Sequence, residues 1–157
     1  LEKDNPSGLP EHAAELQIPV TLSVQRTPIK LFYYDPQKDK DASDNLLCSR
    51  KGLVAVQRQI TKTVTPIQDA IRELLKGQLT AEEKARGITT EFPLPGVELE
   101  GAVLKEGVLT LEFSDPQHKT GGGSCRVGVL WFQVEKTAKQ FAGVNQVVFK
   151  PEELFQP

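Results

Sequence analysis

Alternating apolar and polar positions predict several β-strands in this chain. The run "IKLFYYD" at 29–35 is β-branched and aromatic and stops at the turn-forming "DPQKDKDASDN", and "LVAVQRQI" at 53–60 alternates in a similar way. Farther along, "VELEGAVLKEGVLTLEF" contains two alternating segments around "KEG", which is a hairpin signal. The stretch "NQVVFK" predicts a last short strand.

Between these strands the apolar positions recur every three or four residues, which is the period of a helix. "TPIQDAIRELLKG" at 65–77 has a threonine cap, a proline in the first helical position and a terminal glycine. "TAEEKARG" at 80–87 repeats this pattern in short form, with Glu83 three residues after its threonine cap. A long helix is predicted from about Ser124 to Gly143. Its apolar stripe comprises Val127, Leu130, Trp131, Val134, Ala138 and Phe141.

The order strand, strand, helix, hairpin, helix, strand predicts an α+β fold. We expect a mixed or antiparallel sheet that carries the two main helices on one face. Residues 29–157 are expected to form this domain, whereas residues 1–28, which are rich in proline, are expected to be a linker or a docked extension.

Composition and charge exclude some classes of partner. The 157 residues are 38% hydrophobic and 25% charged, and the net charge is -2, so there is no electrostatic footprint for nucleic acid or an anionic membrane. No apolar run is long enough to span a bilayer. The chain begins at Leu1 and contains no methionine, so we interpret it as a processed product and expect any signal peptide or membrane anchor to lie upstream.

The stretch "KTGGGSCR" raises the question of a phosphate loop. The lysine precedes the glycines rather than following them, and the third glycine of a dinucleotide fingerprint is replaced by Arg126, so both nucleotide motifs fail. We therefore expect Ser124 to cap the long helix, with the glycines allowing a sharp turn. A second possibility is that Gly121, Gly122, Gly123, Ser124 and Arg126 contact an anion or an acidic side chain of a partner.

Catalytic residue patterns are absent from the sequence. The two histidines, His12 and His118, stand in no metal-ligand or nucleophile motif, and we interpret His118 as a solvated loop residue. No cofactor is expected, and calcium is considered only as an alternative.

The calcium hypothesis rests on the acidic loop between the first two strands. Asp39, Asp41, Ser43 and Asn45 fall on positions 1, 3, 5 and 7 of an EF-type loop, where their oxygens would converge on one hard cation. Position 6, usually glycine, is an aspartate here, and position 12, usually glutamate, is an arginine. A plain solvated acidic turn is the alternative.

Cys48 and Cys125 are the only cysteines and leave three interpretations open. They form a disulfide, they remain a buried thiol pair, or Cys125 is reactive because a helix N-terminus lowers the pKa of a thiol. An even count in a chain interpreted as exported favours the disulfide.

Four stretches together resemble a known family. "TPIQDAIRELLKG", "LTAEEKARGITTEFP", "VLKEGVLTLEFSD" and "GGGSCRVGVLWFQVEKTAKQFAGVNQVVF" follow the order and spacing of the GerMN domain, also called the sporulation and spore germination domain, over residues 29–149. The chain departs from the pattern at Gln78 and Leu79, two adjacent positions at which the family often has a proline. It also carries two cysteines that the family pattern does not demand. The resemblance implies an α+β fold similar to ring-building modules of secretion and sporulation machinery. It also implies export, often on lipoproteins or membrane-anchored proteins, and no known catalytic residues.

We therefore expect a non-catalytic, extracytoplasmic interaction or scaffold module that is tethered to the membrane through an anchor absent from this chain. Its partner would be another envelope protein or a second copy. The alternative is an extracellular domain that binds calcium or a small ligand.

Overall fold

The computed structural model of the protein describes residues 24–157. Five strands and three helices lie in this range and confirm the α+β class. The strands are β1 (Arg26–Tyr34), β2 (Leu53–Thr61), β3 (Glu98–Lys105), β4 (Val108–Ser114) and β5 (Gln146–Lys150), and the helices are α1 (Pro66–Leu75), α2 (Ala81–Ala85) and α3 (Ser124–Lys139). Most of the predicted linker, residues 1–23, lies outside the described residues, and β1 begins before Ile29.

The strands divide between two sheets, where the sequence pattern was interpreted as one. β1 and β2 form an antiparallel pair in which Leu31 lies opposite Val56. The second sheet has the order β3, β4, β5. Its β3–β4 hairpin is antiparallel, as predicted, and β5 lies parallel to β4, with Val108 opposite Gln146.

Helix α3 keeps the two sheets apart by occupying the free edge of β1. The backbone N–H of Phe32 donates to Thr137 Oγ1 at 3.1 Å, and that of Lys30 donates to Gln140 Oε1 at 3.0 Å. Gln140 Nε2 also donates to the carbonyl of Lys30 at 2.7 Å. Because these side chains satisfy the backbone groups that a further strand would need, the β1–β2 sheet ends at α3.

The core lies where α1 and α3 pack against each other and against both sheets. The inward faces of the two helices match the predicted apolar stripes, with Ile71, Leu74, Leu130 and Val134 almost fully buried. The C-terminal turn closes one end of the core, since Phe155 is buried and its ring lies 4.8 Å from that of Phe149. No helix of residues 24–157 combines the length and the apolar character needed to cross a membrane.

Candidate functional site

The glycine loop before α3 is held by hydrogen bonds from the side chain of Arg126. The guanidinium donates to the carbonyl of Lys119 at 2.8 Å and to that of Gly121, and its Nε donates to Glu91 Oε1 at 2.8 Å. The positive charge therefore already has a carboxylate partner on the same chain. This contact was not foreseen from the sequence, because Glu91 lies 35 residues before Arg126.

Asp115 holds the other side of the same loop. Its carboxylate accepts from the backbone N–H of Lys119 at 2.8 Å, from that of Thr120 at 2.9 Å and from Thr120 Oγ1 at 2.7 Å. Burial favours the neutral acid, but these hydrogen bonds outweigh it and hold the pKa of Asp115 below its ordinary value. Together, the hydrogen bonds of Arg126 and Asp115 fix the conformation of the glycine loop.

Ser124 does not cap α3, contrary to the prediction. The N-cap position belongs to Gly123, whose backbone is extended and whose carbonyl accepts the N–H of Val127 at 3.0 Å, so Ser124 is already the first helical residue. The turn into the helix uses Gly122 at a φ of 125°, a conformation that favours glycine. Gly122, Gly123 and Ser124 are exposed.

In the acidic loop, Asp39 points into the protein. It is fully buried, and its carboxylate accepts from the hydroxyl groups of Tyr34 and Ser49 and from the backbone N–H of Ser49 at 2.7 Å. Burial opposes ionisation, but the bonds from Ser49 and Tyr34 outweigh it and lower the pKa of Asp39. This carboxylate joins the two ends of the loop, which the EF-type spacing did not indicate.

Asp41 closes the tip of the acidic loop on itself. Its Oδ1 accepts the backbone N–H of Ser43 at 2.8 Å and that of Asn45 at 2.9 Å. Within residues 24–157, no group of three or more His, Cys, Asp or Glu side chains is arranged to hold a metal ion. The structure thus accounts for the acidic turn by its own hydrogen bonds, and calcium binding stays an alternative hypothesis.

Cys48 and Cys125 lie at disulfide-bonding distance, with their Cα atoms 5.3 Å apart and a sequence separation of 77. The pair links the acidic loop to the first turn of α3. Arg50 makes a second link nearby, since its Nη2 lies 2.9 Å from Glu135 Oε1 and its guanidinium stacks 4.2 Å over the ring of Phe132.

An open groove on the surface was missed by sequence reasoning. An open groove of about 760 Å³ runs along β5 and the turn after it, residues 146–152, and is also lined by Thr110, Trp131 and Gln156. Trp131 packs edge-on against Phe149, with ring centroids 5.4 Å apart. Its indole Nε1 is buried and has no hydrogen-bond partner among residues 24–157, which is uncommon for a buried donor.

Among residues 24–157, β5 is an edge strand with no further strand beside it, and it differs from the edges at β1 and β3. The edge of β1 is covered by α3, and that of β3 is interrupted by an irregularity between Leu99 and Gly101 and carries Glu98 and Glu100. Acidic residues and bulges are devices that keep edges from pairing. β5 combines an open edge with an apolar groove beside it.

Comparison with known proteins identifies similar folds. A sequence model of the family described as Germane, sporulation and spore germination, matches residues 30–153. The tandem GerMN domains of the sporulation protein GerM from Bacillus subtilis superpose with a TM-score of 0.52 at 20% identity, covering 84% of this chain and 43% of that one. The first GerMN domain of the same protein gives a TM-score of 0.52 at 17% identity, covering 78% of this chain and 80% of that one. This chain thus spans less than half of the tandem protein, and at these identities the likeness shows the fold alone. No curated protein matches the chain.

Proposed function

Because the chain belongs to the Germane (sporulation and spore germination) family, we propose that it is a non-catalytic protein–protein interaction or scaffold module. The partner is either another envelope protein or a second copy of this chain. The observation that carries the proposal is the open edge of β5 beside its apolar groove.

An open edge strand offers a row of backbone donors and acceptors to an incoming strand, and pockets beside it select side chains. Val148 lies at the middle of β5, is half-buried and lines the groove. An acceptor bound in the groove would lie beside the Trp131 ring, whose buried N–H has no hydrogen-bond partner among residues 24–157. These features favour a strand-like segment as the bound element.

The contacts of the carboxylates with lowered pKa values support the proposal that the module is non-catalytic. Asp39 and Asp115 accept hydrogen bonds within their own loops, as does the exposed Asp41. Glu83 pairs with Arg58 of β2. The lowered pKa values of these carboxylates come from these structural contacts. His118 is exposed in the turn that Asp115 organises.

We further propose that the module works outside the cytoplasm and is tethered to the membrane through a part of the protein outside these residues. The cysteine pair at bonding distance supports the location, because disulfides persist in oxidising compartments. The tether follows from the resemblance to GerMN domains. Protease treatment of intact cells, compared with lysed cells, tests the location: digestion of the protein in intact cells is expected.

Light scattering over a concentration series, without reductant, tests the use of β5. We expect Val148→Lys to weaken any association of the wild-type chain, because a lysine on an edge strand opposes pairing. Gln57→Lys is the matched control, since Gln57 is exposed on β2. An oligomer that both variants leave unchanged would rule out β5 as its interface. A monomer throughout assigns the surface to a different protein.

A further inference from the structure

Two loops that are far apart in the sequence meet at the Cys48–Cys125 pair. The acidic loop, residues 36–52, joins β1 to β2, and Cys125 is the second residue of α3. Cys125 is exposed and Cys48 is half-buried, so the pair lies at the surface of the domain. Exposed disulfides are more easily reduced than buried structural ones.

The acidic loop is held in place without the disulfide. The carbonyl of Asp39 accepts the N–H of Leu47 at 2.8 Å, and its carboxylate accepts the N–H of Ser49 at 2.7 Å. At the base of the loop, the N–H of Asp35 donates to the carbonyl of Gly52 at 2.8 Å. None of these bonds uses a cysteine.

The start of α3 is held independently as well. Arg126 braces the glycine loop through the carbonyls of Lys119 and Gly121, and Asp115 holds the opposite side. Loss of the bond between the two sulfurs therefore leaves the local structure on both sides supported.

Arg50 is a second connection between the same two parts of the fold. Its guanidinium donates to Glu135 Oε1 through Nε at 3.1 Å and Nη2 at 2.9 Å and stacks on Phe132. Phe132 and Glu135 lie roughly two and three helical turns beyond Cys125. Arg50 thus fastens the acidic loop to the middle of α3, while the cysteines fasten it to the beginning.

We propose that the Cys48–Cys125 pair is a reversible thiol–disulfide site that opens in the folded protein, with Arg50 keeping the acidic loop on α3 while it is open. A dithiol supplies the two electrons. Its first thiolate attacks one protein sulfur, forming a mixed disulfide and releasing the other sulfur as a thiolate that takes up a proton. Its second thiol, as a thiolate, then attacks the reductant sulfur of the mixed disulfide. This closes a disulfide within the reductant and releases the remaining protein sulfur, which takes up a proton, so both protein sulfurs end as thiols.

The test uses the full chain, oxidised as purified and then treated with dithiothreitol without denaturant. Mass spectrometry after alkylation counts the accessible thiols, and hydrogen exchange follows the amides of Leu47 and Ser49. We expect no alkylation before reduction and alkylation of both cysteines after it. Exchange at Leu47 and Ser49 is expected to rise by less than roughly tenfold in the reduced wild type.

Removal of Arg50 should make the same amides depend on the disulfide. In Arg50→Ala, we expect exchange like that of the wild type when oxidised, and a rise of more than roughly tenfold when reduced. Arg86→Ala, at the exposed arginine that directly follows α2, is the matched control and should behave as the wild type does. Glu135→Gln, which removes only the ion pair, is a second variant if Arg50→Ala does not fold.

Three results would overturn the proposal. One is alkylation of either cysteine before reduction, because the pair would then not be bonded. Another is any sign that the pair opens only on unfolding: thiols that react only in denaturant, or reduction that exposes the β1–β2 amides throughout the sheet. The third is a reduced Arg50→Ala protein whose exchange equals that of the reduced wild type.

Discussion

Acidification should weaken the contact between β2 and α2, where Arg58 meets Glu83. Arg58 Nη1 lies 2.8 Å from Glu83 Oε2, and Nη2 lies 2.6 Å from Oε1. The backbone N–H of Thr80 also donates to Oε1 at 2.9 Å. Glu83 is only 7% exposed, so these bonds act in a largely water-free setting. The hydrogen bonds from Arg58 outweigh the effect of burial and lower the pKa of Glu83 to about 2.

The magnitude follows from linkage between proton binding and folding. The ordinary pKa of the group is 4.5, and the folded value is about 2. Since one pKa unit corresponds to about 1.4 kcal/mol, the ionised pair contributes about 3 kcal/mol to the free energy of unfolding. A depressed carboxylate pKa stabilises the fold above the unfolded value, so this contribution is complete above about pH 5 and disappears as the pH falls towards about 2.

Urea unfolding of the wild type and of Glu83→Gln, each at about pH 7 and about pH 2.5, isolates this term. The wild type should lose about 2.5 kcal/mol more than the variant between the two pH values, because glutamine cannot titrate. Glu82→Gln, an exposed neighbour on the same helix, should keep the pH dependence of the wild type. Equal pH dependence in the wild type and in Glu83→Gln would refute the reasoning.

Three further predictions concern the cysteines, the core and the acidic loop. The double variant Cys48→Ser/Cys125→Ser should have a free energy of unfolding about 4 kcal/mol below that of the oxidised wild type. Urea denaturation without reductant measures the difference. An unchanged urea midpoint would show that the two cysteines form no disulfide. Leu130→Ala should lower the free energy of unfolding by about 3–5 kcal/mol, because it opens a cavity at a buried site. Leu46→Ala, at an exposed leucine, should change it by less than about 0.5 kcal/mol. Similar losses in the two variants would contradict the assigned core. The melting temperature should be the same in calcium as in chelator, because Asp41 already accepts the N–H groups of its own turn. A higher melting temperature in calcium would instead establish a cation site.

Local signals in the sequence were enough for the elements of the fold. The short helix α2 is the clearest case, since Thr80 and Glu83 make both bonds of the predicted capping box. The "KEG" turn likewise joins β3 and β4 as predicted. These features depend on residues close together in the chain, so their spacing alone identifies them.

Features that depend on distant residues were missed. The division into two sheets follows from Thr137 and Gln140, which satisfy the edge of β1 from a helix more than 100 residues away. The EF-type spacing was ambiguous for a similar reason, because Asp39 turns inward to Tyr34 and Ser49. The groove on β5 is assembled from separate stretches of the chain, and no single stretch indicates it.

Site-specific photo-cross-linking of the full-length protein in its native cells tests the central claim most directly. A photoreactive residue at Gln146, in the groove on β5, is compared with the same residue at Gln57 on β2; both positions are exposed on strands. The proposal predicts a defined cross-linked protein from position 146, lost in Val148→Lys, and none from position 57. Cross-linking that is equal at the two positions, or confined to 57, would contradict an interaction through β5.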